Sequence, residues 1–197
     1  MNKEVVSLSV VYKNLFGRIK ELIVNPKKEW ELIFAERKST NDVLAQFTLP
    51  LLGLYTTIVF VGYLFSHQEL NFEAALKEAV FTFSSHFFGL YVCYYLLVRV
   101  LNAFKLGVDK TIIFQLAAYS SGVVYITGSL TAMVSETIVI GSIINFYLVY
   151  LLWLAFGVIT QVAKEQRVWV TVMSGIMLLV TPMLIYRLFV YISNLTL

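Results

Sequence analysis

The sequence is poor in what a water-soluble domain needs. Of its 197 residues only 14% are charged, against roughly 25% in a typical soluble domain. Charge is missing altogether between Val43 and Phe65 and between Thr137 and Ala163. Stretches of that length have lipid rather than water as their natural solvent. There is one cysteine, Cys93, inside an apolar run. A lone cysteine excludes an intramolecular disulfide and a paired-thiol metal site, and reads as a small buried hydrophobe. The three prolines are Pro26, Pro50 and Pro182, and the two histidines are His67 and His86. No His-x-x-x-His or Glu-x-x-His spacing, glycine-rich phosphate loop, Gly-x-Ser-x-Gly or His-Glu-x-x-His occurs. No Asp or Glu falls mid-way along an apolar run, which weakens a proton-coupled pump. The N-terminus lacks a short apolar core followed by a small-residue cleavage site, so no cleavable signal peptide is expected.

What is present is apolar: 59% of residues are hydrophobic, against roughly 45–50% in soluble domains. Five long apolar stretches run over about 43–65, 79–101, 111–133, 137–162 and 168–192. Each meets the roughly 20 residues that a helix needs to cross the hydrocarbon core. The fold class is therefore all-α, a polytopic membrane protein of five spans (43–197), with one or two amphipathic helices in residues 1–42. The connections, 66–78, 102–110, Ser135-Glu136 and 164–167, are too short for another folded unit. A helical turn at 72–77, preceded by Asn71, fits within the first of them.

Leu8, Val11, Leu15, Ile19 and Leu22 recur every three or four positions and predict an amphipathic helix over the first 24 residues. Two placements fit it: in the lipid interface, or packed on the protein's own cytoplasmic face. Asn25-Pro26 then starts a second short helix to about Arg37, because Asn caps well and Pro suits the first helical position. Trp30, Ile33 and Phe34 form its apolar stripe, and Trp30 is expected at the headgroup level. Lys27, Lys28 and Trp30 are the candidate contacts with a partner or the membrane surface. Ser39-Thr40-Asn41-Asp42 supplies caps for the first span.

The basic residues are distributed asymmetrically. Eight precede the first span, Lys3 among them. Arg99, Lys105 and Lys110 flank the second connection, and Lys164 and Arg167 flank the fourth. With five spans all thirteen lie on one side, and only Lys77 and Arg187 lie on the other. The opposite loops are acidic (Glu69, Glu73, Glu78, Glu136). Positive-inside bias places the N-terminus in the cytoplasm and the C-terminus outside. The net charge of +3 gathers near the N-terminus, which suits anionic headgroups rather than nucleic acid.

Polar and small residues within the spans mark helix contacts or a path. Pro50 and Gly53 share a face with Gln46 and Thr57. Ala118 and Gly122 share one with Gln115, Tyr125 and Ser129, and Gly175 sits with Thr171 and Pro182. Tyr119 lies beside the third-span face. The third span has the richest small-residue face and is expected near the centre of the bundle. His86, Gln115 and Asn145, with Gln161, could instead line a polar path, with Pro50 and Pro182 as hinges. No catalytic residues, metal ligands or cofactor are indicated.

Three short segments carry a family resemblance. They are Asn25-Pro26-Lys27-Lys28-Glu29-Trp30-Glu31-Leu32-Ile33, Leu49-Pro50-Leu51 and Ala118-Tyr119-Ser120. With the five-span layout, from about Leu15 to Tyr191, the chain resembles the Yip family, membrane proteins named for interacting with Ypt/Rab GTPases. The first segment is similar to the Asn-Pro-x-x-x-Trp-x-x-Ile of prokaryotic members. The resemblance implies family-like structural roles for Lys27, Trp30, Pro50 and Tyr119, and a bacterial inner-membrane setting. The Asp-Leu-Tyr-Gly-Pro-like motif of eukaryotic members is absent, and Ser121-Gly122 stands where a proline often follows the Tyr-Ser element. GTPase binding is therefore not carried over. Two readings follow: a non-enzymatic scaffold or adaptor in the bilayer, meeting another membrane or peripheral protein or a second copy of itself, or a small-solute transporter or channel-like subunit. Five spans do not divide into equal inverted halves, which counts against the second.

Overall fold

In the computed structural model of the chain, residues 8–66, 70–134, 138–159 and 162–195 are described, and every regular element among them is a helix. Lys3, His67, Glu69, Ser135, Glu136, Thr137 and Gln161 lie outside the described residues. Helices α1 (Leu8–Val24) and α2 (Pro26–Glu36) form a hairpin. The five helices long and apolar enough to cross a membrane follow. They are α3 (Thr40–Ser66), α4 (Phe72–Ala103), α5 (Lys110–Met133), a fourth made of α6 (Ile138–Asn145) and α7 (Tyr147–Val158), and α8 (Lys164–Leu195).

Short polar side chains start three of the helices, whereas Asn25, expected to cap α2, makes no side-chain cap bond and instead donates Nδ2 back to Glu21. Ser39 Oγ accepts from Asp42 N–H (3.2 Å), Asn71 Oδ1 from Ala74 N–H (2.9 Å) and Asp109 Oδ1 from Thr111 N–H (2.7 Å). Each satisfies a donor that the first turn would otherwise leave free. The Asn71 cap opens a single helix that continues past residue 78, not a separate turn in a loop. No Gly or Pro interrupts 72–79, and charges at a helix end reach water easily. Pro50 has no N–H to give and its ring crowds the preceding turn. The chain answers with a π-turn at Leu44–Thr48, where Leu49 N–H reaches back to Leu44 O. The fourth span breaks at Phe146, whose N–H bonds Ile143 O (3.1 Å) in a tightened turn.

The centre of the bundle is α5. Two-thirds of its apolar window is buried (67%), against 28–33% in the other four. Close approaches at small residues fix its neighbours. A side chain at Gly62 would fall on the backbone carbonyl of Ala132, so α3 meets α5 backbone to backbone. Gly89 of α4 lies under the Pro182 ring of α8, where an added Cβ would meet ring Cγ at 3.0 Å. Cys93 is buried beside that contact and donates to Met177 O (3.1 Å). Lipid tails cannot drive such association hydrophobically, so dispersion contact between closely approaching backbones does.

Exposed aromatics mark the membrane boundaries. On α8, Trp169 and Tyr191 are 64% and 63% exposed. They stand twenty-two residues apart, about 33 Å along a helix axis, close to the hydrocarbon thickness of about 30 Å. Tyr95, Tyr150 and Trp153 are also exposed, toward the Trp169 end of their helices. The α1–α2 hairpin packs at that level, against α3, α5 and α7.

Candidate functional site at the N-terminal hairpin

α1 has two adjoining apolar faces. Leu15 and Leu22 are buried against the bundle, whereas Tyr12, Phe16 and Ile23, on the neighbouring flank, are exposed. One helix thus uses both placements that its periodicity allows, protein on one side and a free apolar flank on the other. Its last carbonyls, which no helical N–H can reach, accept from the Tyr147 hydroxyl, Leu22 O at 3.2 Å and Ile23 O at 3.1 Å.

α2 inserts Trp30 and Ile33 into the core. Trp30 stacks on Phe34 (centroids 5.2 Å) and meets Tyr119 edge-on (6.4 Å), and Tyr119 lies 4.5 Å from Phe47. Trp30 is fully buried, so its expected role as a headgroup anchor and surface contact is corrected. The apolar stripe of α2 faces protein, and of the three candidate contacts Lys27 and Lys28 are exposed. They border an open surface groove of about 430 Å³ with Glu31, Tyr150 and Leu154.

Arg18 ties the two helices together. Nη1 donates to Glu29 Oε1 at 2.5 Å, and Nη2 to Glu36 Oε1 and Oε2 at 2.6 and 2.7 Å. The guanidinium lies 5.9 Å from the Tyr119 ring centroid, within cation–π range. Lys38 Nζ adds a contact to Glu36 at 3.4 Å. Burial opposes the charge of Arg18, but the Glu36 hydrogen bond and the charges of Glu29 and Glu36 outweigh it and raise its pKa. Burial likewise opposes ionisation of Glu36, but hydrogen bonding and attraction from Arg18, then Lys38, hold its carboxyl below the usual range. Gln115 Nε2 donates to Lys38 O (3.1 Å), pinning the link between hairpin and first span.

Two cavities meet at this latch. A polar one of about 640 Å³ is lined by Lys13, Arg18, Glu21, Glu36, Lys38 and Gln46. An apolar one of about 350 Å³ runs deeper, along Gly122, Val123, Ile126, Ile144 and Leu151. Phe47 and Tyr119 line both.

The polar residues deeper in the bundle do not converge. His86 Nδ1 pairs with Thr82 O of its own helix (2.9 Å), and its ring lies edge-on to Tyr55 and Tyr125. Asn145 Oδ1 accepts from Thr127 Oγ1 (2.5 Å), and Gln115 is engaged at Lys38 as above. The cavity beside His86 holds only about 10 Å³ and includes neither Gln115 nor Asn145; that is at the lower limit for one water. Of the small-face residues, Ala118 and Gly122 are buried, and a Cβ at Gly122 would meet Phe47 Cζ at 2.9 Å. A Cβ at Gly175 would meet Val149 Cγ2 at 3.1 Å. Nothing lies within 4 Å of a Cβ at Gly53; its carbonyl instead accepts from Thr56 and Thr57. Pro50 is half-buried beyond the π-turn.

The Yip1 domain profile matches residues 20–185, most of the chain. The chain belongs to the Yip1 family. No curated protein and no solved structure matches it. In this Yip1 protein two of the three short segments that carried the resemblance meet, and Phe47, two residues before the third, joins them. Trp30 and Phe47, flanking the Pro26 and Pro50 turns, both pack on Tyr119. The latch residues Arg18, Glu29 and Glu36 carried no sequence signal. They are eleven and eighteen residues apart, beyond helical spacing, and only the turn at Asn25 brings them together. Tyr147 was equally invisible, since its partners are backbone carbonyls.

Proposed function

We propose that this Yip1 protein is a non-enzymatic membrane scaffold or adaptor. It inserts with the hairpin in the cytoplasm and the C-terminus outside, in a bacterial inner membrane. The observation that carries the reading is the docked hairpin. An amphipathic pair that only coated the lipid surface would leave its Trp in the headgroups. Here Trp30 and Ile33 insert into the bundle and the Arg18 latch, beside the Tyr119 ring, locks the two helices to each other, so Lys27, Lys28 and Glu31 are held at a fixed place beside Tyr150. A rigid, basic, exposed helix face suits an acidic segment of another membrane or peripheral protein. The basic excess on the same side supports the orientation.

The test is charge reversal at Lys27 and Lys28 in the full chain. Both side chains are exposed, so folding is expected to survive. In-cell crosslinking followed by purification should lose a co-purifying protein in the double variant. An unchanged set of partners would remove the hairpin face from the account.

A further inference from the structure

The two cavities at the latch differ in chemistry, and their order matches the layers of a leaflet. Lys38, just before α3, and Gln46 near its start line the polar cavity, and Phe47 lines both. Along α5 the lining passes from Tyr119 to Gly122, Val123 and Ile126, two turns or about 10 Å further from that end. The polar cavity therefore sits at the level of the aromatic boundary, and the apolar one below it. The combined space lies in the range of ligand pockets, roughly 300–1,000 Å³. The apolar part is bordered by Ile23 and Ile144, which are 54% and 40% exposed on the outer surface, so its side is open where lipid would be. Gly122 keeps it clear, because a side chain there would run against the Phe47 ring.

The charges indicate the kind of head group. Three cations and three carboxylates line the polar cavity: Lys13, Arg18, Lys38, Glu21, Glu29 and Glu36. Arg18, Lys38, Glu29 and Glu36 satisfy one another in the latch. Lys13 and Glu21 have no ion-pair partner among the described residues, and Glu21 accepts one hydrogen bond, from Asn25 Nδ2 at 3.0 Å. One spare cation and one spare anion suit a head group carrying both charges. An anionic head would meet carboxylates it cannot pair, which costs affinity.

We infer that the groove between α1, α3, α5 and α6 holds one phospholipid of the surrounding leaflet, an acyl chain along Gly122–Ile126 and a zwitterionic phosphoethanolamine head between Lys13 and Glu21. The phosphate pairs with Lys13. The ammonium donates to Glu21, which a choline head cannot do. Along α1 these residues stand two turns apart, about 12 Å, a separation that the Lys13 stem and an extended head cover together. The hairpin is then fastened to the bundle by the lipid as well as by Trp30.

The experiment is native mass spectrometry of the full chain, delipidated in detergent and titrated with phosphatidylethanolamine, phosphatidylcholine or phosphatidylglycerol. The wild type should retain one phosphatidylethanolamine per chain, about tenfold more tightly than either competitor. Ile144→Trp, at a partly exposed position, should fill the groove and reduce retention about tenfold, with helicity unchanged. Glu21→Lys should reverse the preference toward phosphatidylglycerol; it gives up one hydrogen bond from Asn25 but touches no core residue, and keeps the test decisive if the tryptophan variant does not fold. Equal retention of the three lipids by the wild type, or retention indifferent to both substitutions, would overturn the inference. So would a lipid-free dimer that shields Ile144.

Discussion

Removing the guanidinium at Arg18 is the perturbation with the most specific consequence. Arg18→Met keeps most of the stem and its packing but leaves Glu29 without a cation. The Glu29 side chain is only 6% exposed, whereas Glu36 is 36% exposed. Breaking a fully buried pair by deleting one partner costs about 3–5 kcal/mol. Glu36 can turn to water, so its share falls to the surface range of about 0–1 kcal/mol. The Glu29 share is reduced by the open polar cavity beside it, leaving a net loss of about 2 kcal/mol in the pairing of α1 with α2. That corresponds to roughly thirtyfold more of the form with α1 detached from α2. Hydrogen exchange of the α1 and α2 amides in nanodiscs measures it directly, with α5 as an internal standard. Adding Glu29→Gln should restore more than half of the protection, because the orphaned charge is what makes the single change costly. Equal protection in wild type and Arg18→Met, or no recovery in the double variant, would refute the reasoning.

Further outcomes follow from the same contacts. Trp30→Ala should destabilise docking by about 3–5 kcal/mol, the range for a fully buried large aromatic, seen as a lower unfolding temperature and faster proteolysis near Arg37. Gly62→Ala should disturb the α3–α5 crossing, since its Cβ meets a backbone carbonyl, whereas Gly53→Ala should be neutral or gain about 1 kcal/mol of helix propensity; size-exclusion thermostability separates the two. For pH, Glu36 is lowered when paired with Arg18, so its contribution to the α1–α2 pairing is fully present above the unpaired carboxylate value and is lost as pH falls through the paired one. The α1–α2 pairing should stay constant from about pH 7 to 5 and loosen only below about pH 4; loosening at pH 6 would point to a different group. A C-terminal reporter active only in the cytoplasm should stay silent.

The spans were legible because a charge-free run of twenty residues has few alternatives in water or lipid. The caps at Ser39 and Asn71 were legible because short polar side chains ahead of apolar runs have a local job. The destination of an apolar face was not. A helix periodicity names the stripe of α2 but not whether lipid or protein covers it, and Trp30 went to protein. The long reach of α4 was hidden by the charges at 73–78, which a span reading trims and a helix does not. The break at Phe146 left no mark either, for no Gly or Pro stands there. His86, Gln115 and Asn145 were chosen by depth in the sequence, yet each bonds a different neighbour, two of them backbone carbonyls that no sequence pattern exposes, and Gln115 Oε1 is left buried without a partner.

The central claim is that the N-terminal hairpin is a fixed part of the bundle. Paired spin labels at Lys20 of α1 and Tyr150 of α7, both exposed, in a Cys93→Ser background and a lipid bilayer, test it most directly. A single narrow distance distribution that broadens in Arg18→Met and Trp30→Ala is the predicted result. A broad distribution in the otherwise unaltered protein, unchanged by either substitution, would mean that the hairpin lies free on the membrane and would contradict the account.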